Sequence, residues 1–282
     1  LIELGTKIQP QASQVGPDFR AMRYVPAGAG ALADPILYLA HFSMTGPAFG
    51  PHPHAGFSAI TYLFRDSQTG FRNRDSLGND EEIAPGGLLW TCAGGGILHD
   101  EEPLKRGRIA HGLQIFLNLP EHAQAAPPKI FRLAGGVAQP ADRDGNEILL
   151  LDGNADGAPQ DFRLWDLSLT EGTVDLPIQG GAGGLVVVLD GAVSVSVSAE
   201  AARPLAAPHA FPFMAGPSGG MLTLSASSAA KAVVMTAQAL DQPVHWHGPF
   251  AMARASDIPD RVRAYHAGLM GRLDPLPVDT KP

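Results

Sequence analysis

Residues 49–64 read FGPHPHAGFSAITYLF. Two histidines stand one residue apart around Pro53. The run from Ser58 to Phe64 is apolar, β-branched and aromatic, the composition of a strand with little room for helix. In an extended chain residues i and i+2 share a face, so His52 and His54 present two imidazoles side by side at the mouth of that strand. The spacing recurs in GGGILHDEEP (94–103), where His99 and Glu101 are also two apart. Between the two dyads runs RDSLGNDEEIAPGGLLW (74–90), a turn-rich connection with a Pro-Gly turn. If the two segments lie on neighbouring strands, three imidazoles and one carboxylate converge.

Working outward, strand signals dominate. The segments 35–42, 58–64, 86–93, 111–120, 147–153, 162–169, 183–198, 220–227 and 231–240 are short, rich in β-branched or aromatic residues, and separated by turn residues. VVVLDGAVSVSV (186–197) reads as two strands hinged on Asp190-Gly191, a hairpin signal. One helix is expected, over 256–271, capped by Ser256, ended by Gly271, with Pro259 in its first turn. Pro and Gly crowd residues 119–146, and a second set of strands follows. The expected architecture is therefore all-β: two consecutive jelly-roll barrels, 1–135 and 136–282, the first holding the histidines and the second lacking them.

Composition narrows the function. The 282 residues are 45% apolar and 17% charged, a globular balance, and Gly (33) with Pro (25) exceeds a fifth of the chain, as many tight turns require. A net charge of −8 without a Lys/Arg run argues against nucleic-acid binding. The single cysteine, Cys92, excludes an intramolecular disulfide and a Cys-based zinc site. The first residues show no signal-peptide pattern and no run of about 18 apolar residues occurs, so no membrane span is expected and a cytoplasmic protein is the default. Three neutral imidazoles and a carboxylate suit a divalent transition metal and leave positions open for water or substrate.

The segments GPHPHAGFSAITYLF, RDSLGN, APGGLLWTCAGGGILHDEEP and GLQIFLNLP, with GPFAM and YHAGLMGRL near the end, resemble the pirin family of bicupins. The resemblance is strongest over residues 50–120. It implies two stacked cupin barrels, of which the N-terminal one binds metal, usually iron, through the HPH and HxE motifs. The matching positions are His52, His54, His99 and Glu101. Some pirin-like proteins resemble bacterial quercetinases closely enough to oxidise quercetin with O2; others are described as transcriptional co-regulators. The resemblance thus implies an Fe2+-dependent dioxygenase of the quercetin 2,3-dioxygenase type, with Glu101 also accepting the proton of an aromatic hydroxyl. The alternative is a redox-sensitive regulator that docks on a protein partner.

The sequence departs from the family where HPHRGFET and TAGRGI become HPHAGFSA and CAGGGI. Ala55 and Gly95 replace arginines and Ser58 replaces a glutamate, from which a smaller and less positive mouth is expected. His245 and His247 form an additional pair, expected to be solvated rather than to bind metal. His41 and His111, inside apolar strands, are expected to be satisfied core histidines, and Cys92 a buried inert thiol. The glycines 94–96 are expected to permit a tight turn ahead of His99.

Overall fold

The computed structural model describes every residue except 26–29, 134–138, 141–145, 154–157, 159, 198–200 and 277–282. The boundary expected at 135/136 lies outside the described residues.

Two barrels form, each from a seven-stranded and a four-stranded antiparallel sheet. In the first barrel the large sheet runs Lys129–Leu133, Leu88–Cys92, Phe57–Leu63, Ala110–Asn118, Ile36–Met44, Phe19–Tyr24, Gln11–Val15. In the second it runs Ile2–Leu4, Ala210–Ala215, Ala182–Asp190, Ala230–Gln238, Phe162–Leu169, Glu147–Asp152, Gln139–Pro140. The small sheets are His52–His54, Ile97–Pro103, Phe71–Asp75, Asp80–Ile83 and Gly172–Ile178, Gly220–Ala226, Ala192–Val197, Arg203–Ala206. Apart from the outer edge strand of each large sheet, the two orders follow the same path through the chain.

The ends of the chain are exchanged. Ile2–Leu4 pairs with Ala210–Ala215 and so edges the second barrel, in the place that Lys129–Leu133 takes in the first. The C-terminal strand Phe250–Met252 bridges Ala55, and the helix that follows packs Ile258, Val262 and Ala264 against a cluster of Ala55, Phe250 and Met270 on the first barrel.

The two large sheets pack face to face. Ile60, Tyr62, Trp90 and Ile115 of the first share one core with Leu164, Leu185, Val233 and Met235 of the second. This explains why Phe57–Leu63 is buried at every position: its odd-numbered residues face the barrel interior and its even-numbered ones the other sheet. Tyr62 donates to Asp166 Oδ2 across this seam at 2.6 Å.

Two local expectations change. Ala182–Asp190 and Ala192–Val197 do not pair with each other, so Asp190-Gly191 is a corner where the chain passes from the large sheet to the small one. Gly191 makes it with φ +70°, a turn conformation that a hairpin would use equally well. The helix is shorter than expected, Ile258–His266, after a 3-10 turn Ala255–Asp257. Ser256 Oγ turns to the Asp257 carboxylate instead of capping, while Pro259 does lie in the first turn. Gly268, at φ +72°, ends the helix ahead of Gly271, with the amides of Gly268 and Leu269 donating to the Tyr265 and Ala264 carbonyls.

Candidate metal centre

The pairing that the two dyads require is present. His52–His54 lies antiparallel to Ile97–Pro103, with His52 directly opposite His99 and His54 opposite Ile97. One candidate ligand nitrogen from each of His52, His54 and His99 lies within 4.8 Å of the others. His99 is 1% exposed and His54 6%.

The imidazole tautomers follow from their partners. His52 Nδ1 lies 2.9 Å from the Gly50 carbonyl oxygen and His99 Nδ1 lies 3.1 Å from Asn73 Oδ1. Both oxygens accept, so each Nδ1 carries the hydrogen and donates. A neutral ring then has a bare lone pair on Nε2, and these two Nε2 atoms face each other at 3.1 Å. Two lone pairs facing each other at this distance suit a cation. His54 adds a third buried ring, whose Nδ1 has no aligned hydrogen-bond partner among the described residues. The residues therefore fit a metal ion: nitrogen donors oriented from behind by Asn73 and Gly50, with no thiolate among them.

Electrostatics support the fit. Burial, followed by the neighbouring imidazoles, pushes His54 down to about 3 and His99 well below the usual range. Burial also lowers His52, opposed by its bond to Gly50 and by the Asp100 charge. All three rings are neutral at pH 7, the form that binds metal.

Glu101 lies on the same strand and face as His99, opposite Asn73. Its Oε1 accepts from Thr61 Oγ1 at 2.5 Å, and the same hydroxyl lies 3.1 Å from Gln114 Oε1. Burial raises its pKa to about 7, against the lowering effect of Thr61, with Asp100 adding to the rise. The structure thus gathers the three histidines into one group; Glu101, two residues along the strand from His99, is held by Thr61 and does not join that group.

Aromatic rings surround His54. Phe57 and Phe116 lie 5.1 and 5.3 Å from it, ring centre to ring centre. Trp246 lies 5.5 Å from Phe57 and is 46% exposed. Trp246 comes from the C-terminal hairpin His245–His247/Phe250–Met252, so residues remote in sequence complete this wall.

The departures from the family pattern lie beneath the C-terminal segment or inside the sheet. Ala55 is fully buried against Phe250, and Ser58 is fully buried opposite Cys92. Arg261 Nη1 donates to the Gly95 carbonyl at 2.8 Å, and a Cβ at Gly95 would sit 3.1 Å from that nitrogen. The helix therefore brings a guanidinium to the position where the family pattern has its own arginine. Gly56 and Gly96 are required for the same docking: at φ +85° and +141°, a Cβ would lie 1.8 Å from the Ala251 carbonyl oxygen and 2.6 Å from Met270.

The remaining candidates separate clearly. His245 and His247 are exposed, and like His41 and His111 they join no three-residue ligand group among the described residues. Cys92 is 6% exposed, and burial raises its pKa, as an inert thiol requires. His41 and His111 are satisfied by one another, at 2.7 Å, but sit half-buried at the seam between barrels and outside the core. Sequence reasoning missed Asn73, Thr61, Gln114 and Trp246. Asn73 had a readable signal: Phe71, Asn73 and Asp75 alternate with Arg72 and Arg74, and the first three face inward.

The Pirin domain pattern matches residues 21–117 and the pirin C-terminal cupin domain pattern matches 164–271. The chain belongs to the pirin family. A pirin-like protein of Solanum lycopersicum is 29% identical over 247 residues, covering 84% of this chain and 82% of its own. The crystal structure of a quercetin 2,3-dioxygenase from Acinetobacter baumannii is 25% identical, with a TM-score of 0.82 over 97% of this chain and 100% of that one. A bacterial pirin from Escherichia coli, crystallised with nickel(II), shares the fold at 17% identity and a TM-score of 0.63, covering 85% of this chain and 99% of that one. This pirin-family chain is thus a bicupin, and its histidine group lies in the N-terminal pirin domain. No helix among the described residues is long and apolar enough to cross a membrane.

Proposed function

We propose that this pirin-family chain is a cytoplasmic metal-dependent dioxygenase of the quercetin 2,3-dioxygenase type. Its substrate is a flavonol or a similar aromatic hydroxyl compound, and its metal is Fe2+, held by His52, His54, His99 and Glu101. The observation that carries this reading is a cluster of three imidazoles walled by aromatic rings, with Glu101 on the same strand and face as His99.

The metal, when bound, supplies Lewis acidity and the chemistry with O2. The chain supplies the rest. Glu101, which burial raises to about 7 in the metal-free chain, is the base that would accept the proton of an aromatic hydroxyl. Thr61 holds one carboxylate oxygen in place, which fixes where that proton goes. Phe57, Phe116 and Trp246 offer flat apolar walls that orient a planar ring and keep water from it.

The test is metal analysis of the purified protein, with quercetin mixed anaerobically and then exposed to air while absorbance is followed. O2-dependent loss of the flavonol band, abolished by His54→Ala, is the expected result. Stoichiometric metal with no consumption across a panel of flavonols would remove this reading.

A second reading, metal-dependent docking on a protein partner, is favoured by the exposure of Trp246 beside the metal centre. Trp246→Ala separates the two. A dioxygenase keeps its kcat while KM rises roughly 2- to 10-fold, the worth of one aromatic contact. A docking surface instead loses its partner with no flavonol turnover to measure.

A further inference from the structure

We propose that the seam between the two barrels carries a second transition-metal site, ligated by His41 Nε2 and His111 Nε2, for a divalent cation such as zinc, nickel or copper. The pairing of Ile36–Met44 with Ala110–Asn118 sets Leu113 opposite His41 and His111 opposite Ser43. The two histidines are therefore diagonal neighbours on one face, the face turned towards the second barrel. Their Nε2 atoms lie 2.7 Å apart.

The partner behind His111 decides what its Nε2 can do. His111 Nδ1 lies 3.0 Å from Asp66 Oδ1, and Asp66 Oδ2 accepts from Lys231 Nζ of the second barrel at 2.7 Å. The carboxylate accepts the Nδ1 hydrogen, which leaves His111 Nε2 with a bare lone pair pointed at His41. A carboxylate–imidazole pair of this kind orients and strengthens a metal-bound histidine. The main centre repeats the arrangement with other atoms: His99 is backed by Asn73 and its Nε2 meets that of His52 at 3.1 Å.

There is room and a path for the ion. The pair opens on one side to a cavity of about 490 Å³ lined by Arg20, Met22 and Ser43, and on the other to one of about 590 Å³ at the seam. The seam cavity is lined by three carboxylates, Asp66, Asp166 and Asp190, against two cations, Arg65 and Lys231. With Arg20 on the other side the charges around the pair balance, so the two imidazoles carry the affinity, and water fills the coordination positions they leave open. Without metal, a single hydrogen on His41 Nε2 shared with His111 accounts for the 2.7 Å contact, and metal binding displaces that proton.

The test is calorimetric titration of the metal-stripped full-length chain with Ni2+, Zn2+ and Cu2+, with elemental analysis after desalting. Wild type is expected to take two equivalents. His41→Gln/His111→Gln is expected to take one, and so is His99→Leu, each having lost a different site. Asp66→Asn, which keeps the shape at the seam, is expected to weaken the second equivalent roughly 10- to 100-fold and leave the first unchanged. This variant keeps the test decisive should the double variant fail to fold. A single equivalent in wild type would overturn the proposal. So would a second equivalent that survives in His41→Gln/His111→Gln, or one that disappears in His245→Ala/His247→Ala. None of these outcomes depends on flavonol turnover.

Discussion

The two barrels share one strand order and differ in what fills them. Pairing registers match the four candidate ligand positions of the first barrel to the second. His99 stands opposite His52 and Asp75; Leu222 stands opposite Leu176 and Val197. His54 faces Ile97 as Ile178 faces Gly220, and Glu101 faces Asn73 as Leu224 faces Val195. So His52, His54, His99 and Glu101 correspond to Leu176, Ile178, Leu222 and Leu224. All four of the latter are at most 4% exposed and belong to a single apolar core with Val174, Val193 and Leu205. One fold serves two ends: a polar interior suited to a cation, and an apolar interior stabilised by burial alone. The first barrel carries its own apolar half as well, where Phe42, Met44, Leu63, Phe71 and Ile83 pack together, so its polar groups are confined to one end.

The largest expected effect comes from exchanging residues between matched positions. His99→Leu should abolish metal binding at this centre and any turnover, and should cost the metal-free protein about 1–3 kcal/mol, because it leaves the buried Asn73 side chain without its partner. Leu222→His, the reverse change, should create no site, since its neighbours offer no ligand. It should destabilise the protein by about 1–3 kcal/mol, the effect of burying a polar group without a partner. Metal content and denaturant unfolding of both variants check the pair. Metal content unchanged in His99→Leu would remove His99 from the ligand set.

A smaller effect is expected from Asn73→Ala, which frees His99 to rotate and to change tautomer. Metal affinity should fall roughly 10- to 100-fold with the fold intact, measured by competition with a chelator. The matching change, Val195→Ala in the second barrel, should leave metal affinity unchanged.

The smallest effect concerns acid. The lowered pKa values of His52, His54 and His99 mean that below about pH 6.5 the unfolded chain binds more protons than the folded one. Stability of the metal-free protein should therefore fall as pH drops from about 6.5. Glu101 acts in the opposite sense: its pKa, raised to about 7, adds stability that is present below its unfolded value and lost as pH rises through 7. Three histidines against one carboxylate give a net loss in acid. Hydrogen exchange at about pH 5 should show the loss in Phe57–Leu63 and Ile97–Pro103 before Ala182–Asp190 and Gly220–Ala226. Equal loosening of both barrels would mean that the histidine cluster does not set acid stability.

Much of this was legible in the chain. The nine expected strand segments all fall on observed strands, because a buried strand must be apolar and turn-bounded whatever surrounds it. Among the strands that went unread, Gln11–Val15, Phe19–Tyr24, Gly172–Ile178 and Ala210–Ala215 are of ordinary length, and three are short and charged: Phe71–Asp75, Asp80–Ile83 and Arg203–Ala206. Their outward residues mask the inward alternation. The corner at Asp190-Gly191 was misread because a glycine turn has the same local chemistry whether the next strand pairs with the last one or crosses to another sheet.

The sequence by itself determined the all-β class, the two-block organisation and the histidine dyads, because periodicity and spacing are local properties. Only the tertiary structure decided the rest, since every part of it is a contact between distant residues. It set His52 opposite His99, backed His99 with Asn73 and gave Glu101 to Thr61. It brought Trp246 and Arg261 from the C-terminal segment to the first barrel, and joined His41 to His111 across 70 residues. Strand register and sheet packing choose those neighbours, and no local pattern encodes them.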